Sequence, residues 1–92
     1  MAWTLLYHPE VTNDLHSLGR SEAKIILRVI EQRIAHGEPD KLGKTLAGCR
    51  RIHTGQTRIV YRVNSQRVEV LIIAVGMRRD NEIYDAASGR LA

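Results

Sequence analysis

The second half of this sequence is unusually rich in arginine. Residues 50–79 contain seven arginines and one acidic residue, Glu69, which gives the segment a net charge of +6; the arginines are Arg50, Arg51, Arg58, Arg62, Arg67, Arg78 and Arg79. A planar guanidinium can hold two phosphate oxygens at once and keeps its charge at neutral pH, so this composition is suited to phosphate binding. The alternative is a solvated sheet face that keeps the protein in solution, and charge alone favours neither.

Strand geometry predicts that three of the residues able to do chemistry share one surface. If Gly55-Gln56 is a two-residue hairpin loop, His53 pairs directly with Arg58. Directly paired residues project to the same side of a sheet, and so does Arg51, two positions before His53. An isolated surface histidine usually has no role, but a position between two arginines on a solvent face favours a functional one.

The other face of these strands is predicted to be apolar and to point towards the helices; it would carry Ile52, Ile59, Tyr61 and Val63. In the next hairpin, a loop at Ser65-Gln66 would pair Arg62 with Glu69 and add Val68, Val70 and Ile72 to the apolar face. A slip of one residue would bury arginines and expose isoleucines, so the register should be well specified.

The elements that position these residues follow from periodicity. Residues 3–7 form a first strand, 9–18 and 21–37 form two helices, 49–54, 57–63 and 67–75 form three strands, and 81–90 form a short last helix. The order β-α-α-β-β-β-α predicts an α+β fold. We expect a small, mainly antiparallel four-stranded sheet with a helical hairpin packed on one face and a short C-terminal helix.

Length and composition exclude several classes of protein. The chain has 92 residues and a mass of 10.4 kDa, so residues 1–92 should form a single domain. Apolar runs fall far short of the roughly 20 residues that span a bilayer, and the start lacks the features of a signal peptide. Its single cysteine, Cys49, fits a small buried residue and a cytoplasmic location. His8, His16 and His36 lack ligand spacing, so no metal or cofactor is expected.

The chain resembles the RelE toxins of the RelE/ParE superfamily, which belong to bacterial type II toxin–antitoxin systems. The resemblance covers essentially the whole chain and is carried by residues 6–9, 58–63 and 70–76, followed by Arg78, Glu82, Ile83, Tyr84 and Ala87. It implies a metal-independent endoribonuclease that enters the ribosomal A site, cuts mRNA there and so inhibits translation. In that reaction the 2′-hydroxyl of the RNA attacks the adjacent phosphorus and leaves a 2′,3′-cyclic phosphate and a 5′-hydroxyl.

The resemblance also implies site residues. Arg51 and His53 stand where RelE toxins often have two lysines, and Arg58 matches the arginine that opens the following strand. Arg78 matches the arginine after the glycine that ends the last strand, and Tyr84 matches the tyrosine of the terminal helix. Because both lysines are replaced, the assignment of the proton transfers stays open.

On this basis His53 is expected to be the general base, because an imidazole with a pKa near 6.5 accepts a proton near neutral pH more readily than a lysine does. Arg58 and Arg78 would stabilise the phosphorane, and Tyr84 would stack on a base or orient the scissile nucleotide. Neighbouring phosphates would be held by Arg51, Arg50 and Arg79.

Simpler interpretations remain for some of these residues. Arg50 fits an ordinary sheet cation, Arg79 next to Asp80 fits a solvated helix start, and Tyr84 could simply pack its helix on the sheet. The alternative function is that of a ParE-like protein, which inhibits DNA gyrase by binding and needs no nuclease site.

The expected partners follow from the same resemblance. They are the 70S ribosome A site with its mRNA and a cognate antitoxin. An acidic or amphipathic segment of the antitoxin would wrap the toxin and either cover the basic face or displace the helix around Tyr84. Operator DNA would be reached only through the DNA-binding module of the antitoxin, and no membrane is involved.

Overall fold

The computed structural model describes residues 2–46 and 48–91, so residue 47 and both ends of the predicted 1–92 domain lie outside it. The elements are β1 (Thr4–Tyr7), α1 (Val11–Leu18), α2 (Arg20–Val29) with a π-helical continuation (Ile30–Ala35), β2 (Lys44–Leu46), β3 (Cys49–Thr54), β4 (Thr57–Asn64), β5 (Glu69–Gly76) and α3 (Asp80–Leu91). Within these two ranges, none of the helices has the length and apolarity needed to cross a membrane.

The predicted α+β fold is confirmed, with one more strand than expected. The five strands lie in the order β1-β5-β4-β3-β2; β1 runs parallel to β5 and the other pairs are antiparallel. The additional strand is β2, which pairs Lys44 with Arg51 at the edge of the sheet. A strand of three residues is too short to show an alternating pattern, and this segment had only the features of a turn.

One hairpin register is confirmed and the other is wrong. Between β3 and β4, His53 pairs with Arg58 as the loop at Gly55-Gln56 requires. Between β4 and β5, however, Glu69 pairs with Asn64, and Arg62 pairs with Leu71. The turn spans residues 65–68 and includes Val68 at a positive φ of 53°, a conformation that β-branched residues rarely adopt. A longer turn displaces the pairing by two residues, so Val70 and Ile72 keep their predicted apolar face. The prediction that Val68 joins that face is wrong, because Val68 lies in the turn.

Both faces of the sheet carry a hydrophobic cluster. The larger cluster lies under α1 and α2 and contains Val11, Ile26, Ile30, Ile34, Ile52, Ile59, Tyr61, Val70, Ile72 and Val75. The smaller cluster lies on the opposite face under α3 and contains Cys49, Val60, Ile73, Ala74, Ile83 and Ala87. The second face is therefore not simply lined with arginines, because α3 covers part of it.

A β-bulge at Ile73 lets β5 serve both clusters. Tyr61 pairs with Ile72 and Val60 pairs with Ala74, so Ile73 is an extra residue in β5. As a result Ile73 and Ala74 both belong to the cluster under α3, whereas Ile72 belongs to the cluster under the helical hairpin. The nearly continuous apolar sequence of this central strand is explained by burial on both sides.

An ion pair between Asp14 of α1 and Arg90 of α3 completes the edge of β5 beyond the end of β1. The two side chains are joined by hydrogen bonds of 2.6 and 2.9 Å and are 11% and 14% exposed respectively. Asp14 accepts the Val75 N–H at 3.0 Å, and Arg90 donates to the Ile73 carbonyl at 2.8 Å. Burial raises the pKa of Asp14, but the hydrogen bonds from Arg90 and Val75 more than offset this effect. The net result is a pKa below the ordinary value of an aspartate. The pair therefore ties α1, β5 and α3 together.

Candidate anion-binding site

Three basic side chains converge where the ends of β3 and β4 meet the start of α3. Arg51 and His53 are two positions apart on β3 and therefore project from the same face of the sheet, and Arg58 lies opposite His53 on β4. Arg51 is 5% exposed and Arg58 is 22% exposed, whereas His53 is exposed to solvent. We refer to Arg51, His53 and Arg58 as the cationic cluster. The prediction that these three residues share one face of the sheet is confirmed.

A carboxylate that the sequence analysis had assigned to a solvated helix start lies inside this cluster. Oδ1 of Asp80, the first residue of α3, accepts a hydrogen bond from Arg51 Nη1 at 3.1 Å and another from Arg58 Nε. The Asp80 side chain is 49% exposed, so it sits at the mouth of the cluster. Hydrogen bonds from Arg58 and Arg51 lower the pKa of Asp80, which is therefore ionised at neutral pH.

The same Arg51 guanidinium defines the state of the imidazole. Nη1 of Arg51 also donates to Nε2 of His53. Because arginine has no acceptor atom, it can donate to Nε2 only in the tautomer that holds the ring proton on Nδ1. The pKa of His53 is lowered below its ordinary 6.5, first by partial loss of hydration and then by the charges of Arg51 and Arg58. The site thus holds a neutral imidazole beside two fixed cations.

Arg51 has an unsatisfied donor even with these partners. Its Nε is buried and has no hydrogen-bond partner within the part of the chain that the structure describes. Burying a cation is costly unless its charge and its donors are matched. A cluster with two guanidinium groups and one carboxylate still has excess positive charge, so it is suited to binding an anion.

The structure does not bring Arg50 into the cluster. Successive residues of a strand point to opposite faces, so Arg50 lies on the face opposite Arg51 and donates from Nη1 to the Leu42 carbonyl at 2.9 Å. Its charge lowers the pKa of Tyr61 against the dominant effect of burial, which raises that pKa to about 12. Arg50 therefore occupies the structural position that the simpler interpretation described.

The three remaining predicted residues lie after β5. Arg78 is exposed, two residues beyond Gly76, which pairs with Arg58, and its side chain lines an open groove that also contains Asp14. Arg79 is exposed, and its carbonyl accepts the Ile83 N–H in the first turn of α3. Tyr84 is half-buried and packs against the hydrophobic cluster under α3. All three residues follow the cationic cluster in sequence, and within residues 2–46 and 48–91 none of them forms a hydrogen bond with it.

Residues 2–46 and 48–91 contain no group of three or more His, Cys, Asp or Glu side chains arranged to hold a metal ion. Of the three other histidines, His8 accepts the Glu10 N–H at 3.1 Å through its own Nδ1, and His16 and His36 are exposed.

Comparison with known proteins identifies relatives. Residues 5–82 match the family model described as the ParE toxin of the type II toxin–antitoxin system parDE. No curated protein sequence matches the chain at a significant level.

Solved structures of RelE toxins share the fold. The RelBE2 toxin–antitoxin complex from Mycobacterium tuberculosis matches with a TM-score of 0.77 and 24% identity, over 87% of this chain and 95% of that one. A mutant of E. coli toxin RelE in the free state matches with a TM-score of 0.72 and 24% identity over the whole of both chains. The intact E. coli RelBE complex matches with a TM-score of 0.57 and 27% identity, over 85% of this chain and 99% of that one.

Proposed function

The chain belongs to the ParE toxin family of type II toxin–antitoxin systems, within the RelE/ParE superfamily, and from this premise we propose that it is an mRNA endoribonuclease that acts on the ribosome. The observation that carries the proposal is the convergence of a neutral imidazole with two guanidinium groups on one face of the sheet. A toxin that acts only by binding another protein has no need of that arrangement.

The proposed reaction is transesterification by the RNA itself. The 2′-hydroxyl attacks the adjacent phosphorus, the 2′-oxygen–phosphorus bond forms, and the bond from phosphorus to the 5′-oxygen breaks. The departing 5′-oxygen takes a proton from water and becomes the 5′-hydroxyl of the second product. His53 accepts the proton of the 2′-hydroxyl, which its lowered pKa permits because the ring is neutral at physiological pH. Arg51 and Arg58 stabilise the additional negative charge of the phosphorane, since preorganised cations act most strongly where charge develops.

Three residues outside the cluster have proposed roles that depend on the resemblance to RelE toxins. Arg78 is exposed and close in sequence to the end of β5, where its guanidinium can reach an approaching strand and stabilise the leaving 5′-oxygen. Tyr84 belongs to α3, is half-buried, and would stack on a base or orient the scissile nucleotide. Arg79 would hold a flanking phosphate, whereas Arg50 faces the other side of the sheet.

The test is single-turnover cleavage on 70S ribosomes programmed with a defined mRNA. Wild-type protein should produce cuts within the A-site codon that end in a 2′,3′-cyclic phosphate and a 5′-hydroxyl. His53→Ala should reduce the rate by about 10² to 10⁴-fold, the usual contribution of a general base. His16→Ala, which removes an exposed histidine of α1, is the matched control. Undiminished cleavage by His53→Ala would eliminate this residue as the base.

Gyrase inhibition is the second candidate function, and the match of residues 5–82 to the ParE family model favours it. In this case the protein would block supercoiling by binding DNA gyrase, and ParE-type toxins are not nucleases. A supercoiling assay run beside the ribosome assay separates the two functions. Blocked supercoiling with intact mRNA would support gyrase inhibition and exclude the nuclease.

The partner that family membership supports is a cognate antitoxin, since the similar toxins from Mycobacterium tuberculosis and E. coli were solved in RelBE toxin–antitoxin complexes. We expect an acidic or amphipathic segment of the antitoxin to cover the cationic cluster and to connect the toxin with operator DNA. Such a pair would act in the cytoplasm, where ribosomes and mRNA are found. Purification of the mixed complex from the native operon would identify the antitoxin and its stoichiometry.

A further inference from the structure

The carboxylate of Asp80 occupies the position in which the cationic cluster would hold a phosphate. One oxygen, Oδ1, accepts hydrogen bonds from both Arg51 Nη1 and Arg58 Nε. A non-bridging phosphate oxygen between two guanidinium groups would make the same contacts, because carboxylate and phosphate oxygens are both acceptors that arginine binds in this way. The donors that an RNA phosphate needs are therefore already engaged by the protein.

We propose that Asp80 is an internal anion that competes with the RNA phosphate for Arg51 and Arg58 and so sets the affinity of the site for its substrate. This inference rests on the proposed phosphate-binding role of the cluster. Asp80 is the first residue of α3 and its side chain is half-exposed, so rotation of the side chain can free the two arginines without unfolding the helix.

The environment of Arg51 explains why an internal anion is needed. Arg51 is 5% exposed, and its Nε has no hydrogen-bond partner within the described residues. Arg58 is its diagonal neighbour on the next strand, and both arginines donate to the same Asp80 oxygen. Two guanidinium groups held this close repel each other unless an anion lies between them. Asp80 supplies that anion while the site is empty, and the substrate phosphate replaces it when RNA binds.

Release of Asp80 also affects the proposed base. Arg51 Nη1 bridges the Asp80 carboxylate and His53 Nε2. A phosphate that draws Arg51 towards itself would free the lone pair of Nε2 to accept the proton of a 2′-hydroxyl. Binding of the substrate phosphate therefore makes the lone pair of His53 Nε2 available, whereas without substrate this lone pair accepts a hydrogen bond from Arg51.

Asp80→Asn is the informative variant because asparagine keeps the size of the side chain, an acceptor oxygen and the capacity to begin a helix, and removes only the charge. Asp85→Asn is the matched control, since Asp85 is exposed on the same helix and the change in net charge is identical. Thermal unfolding of both variants shows whether either change disturbs the fold.

The probe is a 2′-O-methyl RNA trinucleotide, which has phosphodiesters but cannot undergo attack by a 2′-hydroxyl, and binding is measured from NMR chemical shifts during titration of the purified protein. If Asp80 leaves the arginines free about a tenth of the time, Asp80→Asn should bind about tenfold more tightly than wild type. The slope of log affinity against log salt should steepen by about 0.7, because one more external counterion is released on binding. Asp85→Asn should match wild type closely in both respects.

The pKa of His53, read from the same spectra, separates competition from a structural role. The charge of Asp80 raises this pKa, so Asp80→Asn should lower it, and bound trinucleotide should raise it again. An affinity for the trinucleotide in Asp80→Asn that is equal to or weaker than that of Asp85→Asn would overturn the proposal.

The ribosome assay distinguishes this failure from failure of the proposed function. If Asp80→Asn binds the trinucleotide more tightly but neither it nor wild type cuts mRNA, Asp80 is an internal anion in a protein that is not a nuclease. If wild type cuts mRNA and Asp80→Asn gains no affinity, the nuclease proposal stands and the internal anion is refuted.

Discussion

Replacement of Arg90 by alanine should destabilise the protein severely, because Arg90 lies at the centre of a buried network. The change removes both hydrogen bonds to Asp14 and the hydrogen bond to the Ile73 carbonyl, and leaves Asp14 with only the Val75 N–H as a partner. The carboxylate that remains is 11% exposed, so water can solvate it only in part. Breaking a buried ion pair by removing one partner costs about 3 to 5 kcal/mol.

The lower end of this range applies here, because the removed arginine opens a path for water beside a pair that is not fully buried. We therefore expect a loss of about 3 kcal/mol from a free energy of unfolding that is roughly 5 to 15 kcal/mol for a domain of this kind. In a domain of this size the same loss corresponds to a fall in Tm of about 12 to 24 °C.

Equilibrium unfolding in urea, followed by circular dichroism, measures the change. Arg28→Ala removes an exposed arginine of α2 and should shift the free energy of unfolding by less than about 0.5 kcal/mol. The double variant Asp14→Asn with Arg90→Ala should lose less stability than the two single variants together, and the difference, which is the coupling energy, should be about 1 to 3 kcal/mol. A loss below 1 kcal/mol in Arg90→Ala would show that packing under α3, not the ion pair, holds this helix in place.

Three further predictions follow from the described contacts. The pKa of Asp14 is lowered in the folded state, so the ionised carboxylate stabilises the protein above its unfolded pKa of about 3.9, and this contribution is lost as the pH falls through the lower folded pKa. The difference in urea-unfolding free energy between wild type and Asp14→Asn should therefore be largest near neutral pH and shrink below about pH 4. Because the pKa of His53 is lowered from 6.5, the midpoint of the decline in single-turnover cleavage on acidification should lie below pH 6.5. A decline centred above pH 7 would contradict the assignment of His53 as base. Gly43→Ala should lose more than about 1 kcal/mol of stability, because Gly43 has a φ of +66° and an added Cβ would lie 2.0 Å from the Arg51 carbonyl oxygen. Gly19→Ala, at a φ of +89° with nothing within 4 Å of an added Cβ, should lose less stability. Equal losses in the two variants would mean that the contact with Arg51 is unimportant.

The parts of the fold that local pattern determines could be predicted from the sequence. A two-residue loop permits only one register, so Gly55-Gln56 was sufficient to pair His53 with Arg58. Alternation then assigned Arg51 to the same face. Alternation could not predict that Arg51 would be 5% exposed, because burial depends on tertiary contacts, among them the hydrogen bond to Asp80 at the start of α3.

The features that the sequence analysis missed all depend on irregular backbone or distant contacts. Val68 looks like a strand residue but lies in a turn at positive φ, so the pairing of Arg62 with Glu69 was wrong. Asp80 follows the loop at residues 77–79. This loop has no regular periodicity, so the position of Asp80 in the cationic cluster could not be predicted from the sequence. Asp14 and Arg90 are 76 positions apart, and only the tertiary fold brings them together.

The most direct test of the proposed nuclease uses an mRNA with one 2′-deoxynucleotide at the mapped cleavage position, bound to programmed 70S ribosomes. The account predicts that wild-type protein cuts the all-ribose mRNA and leaves the deoxy-substituted position intact, because that position lacks the attacking hydroxyl. Cleavage of both mRNAs at equal rates would contradict the reaction that we assign to the cationic cluster.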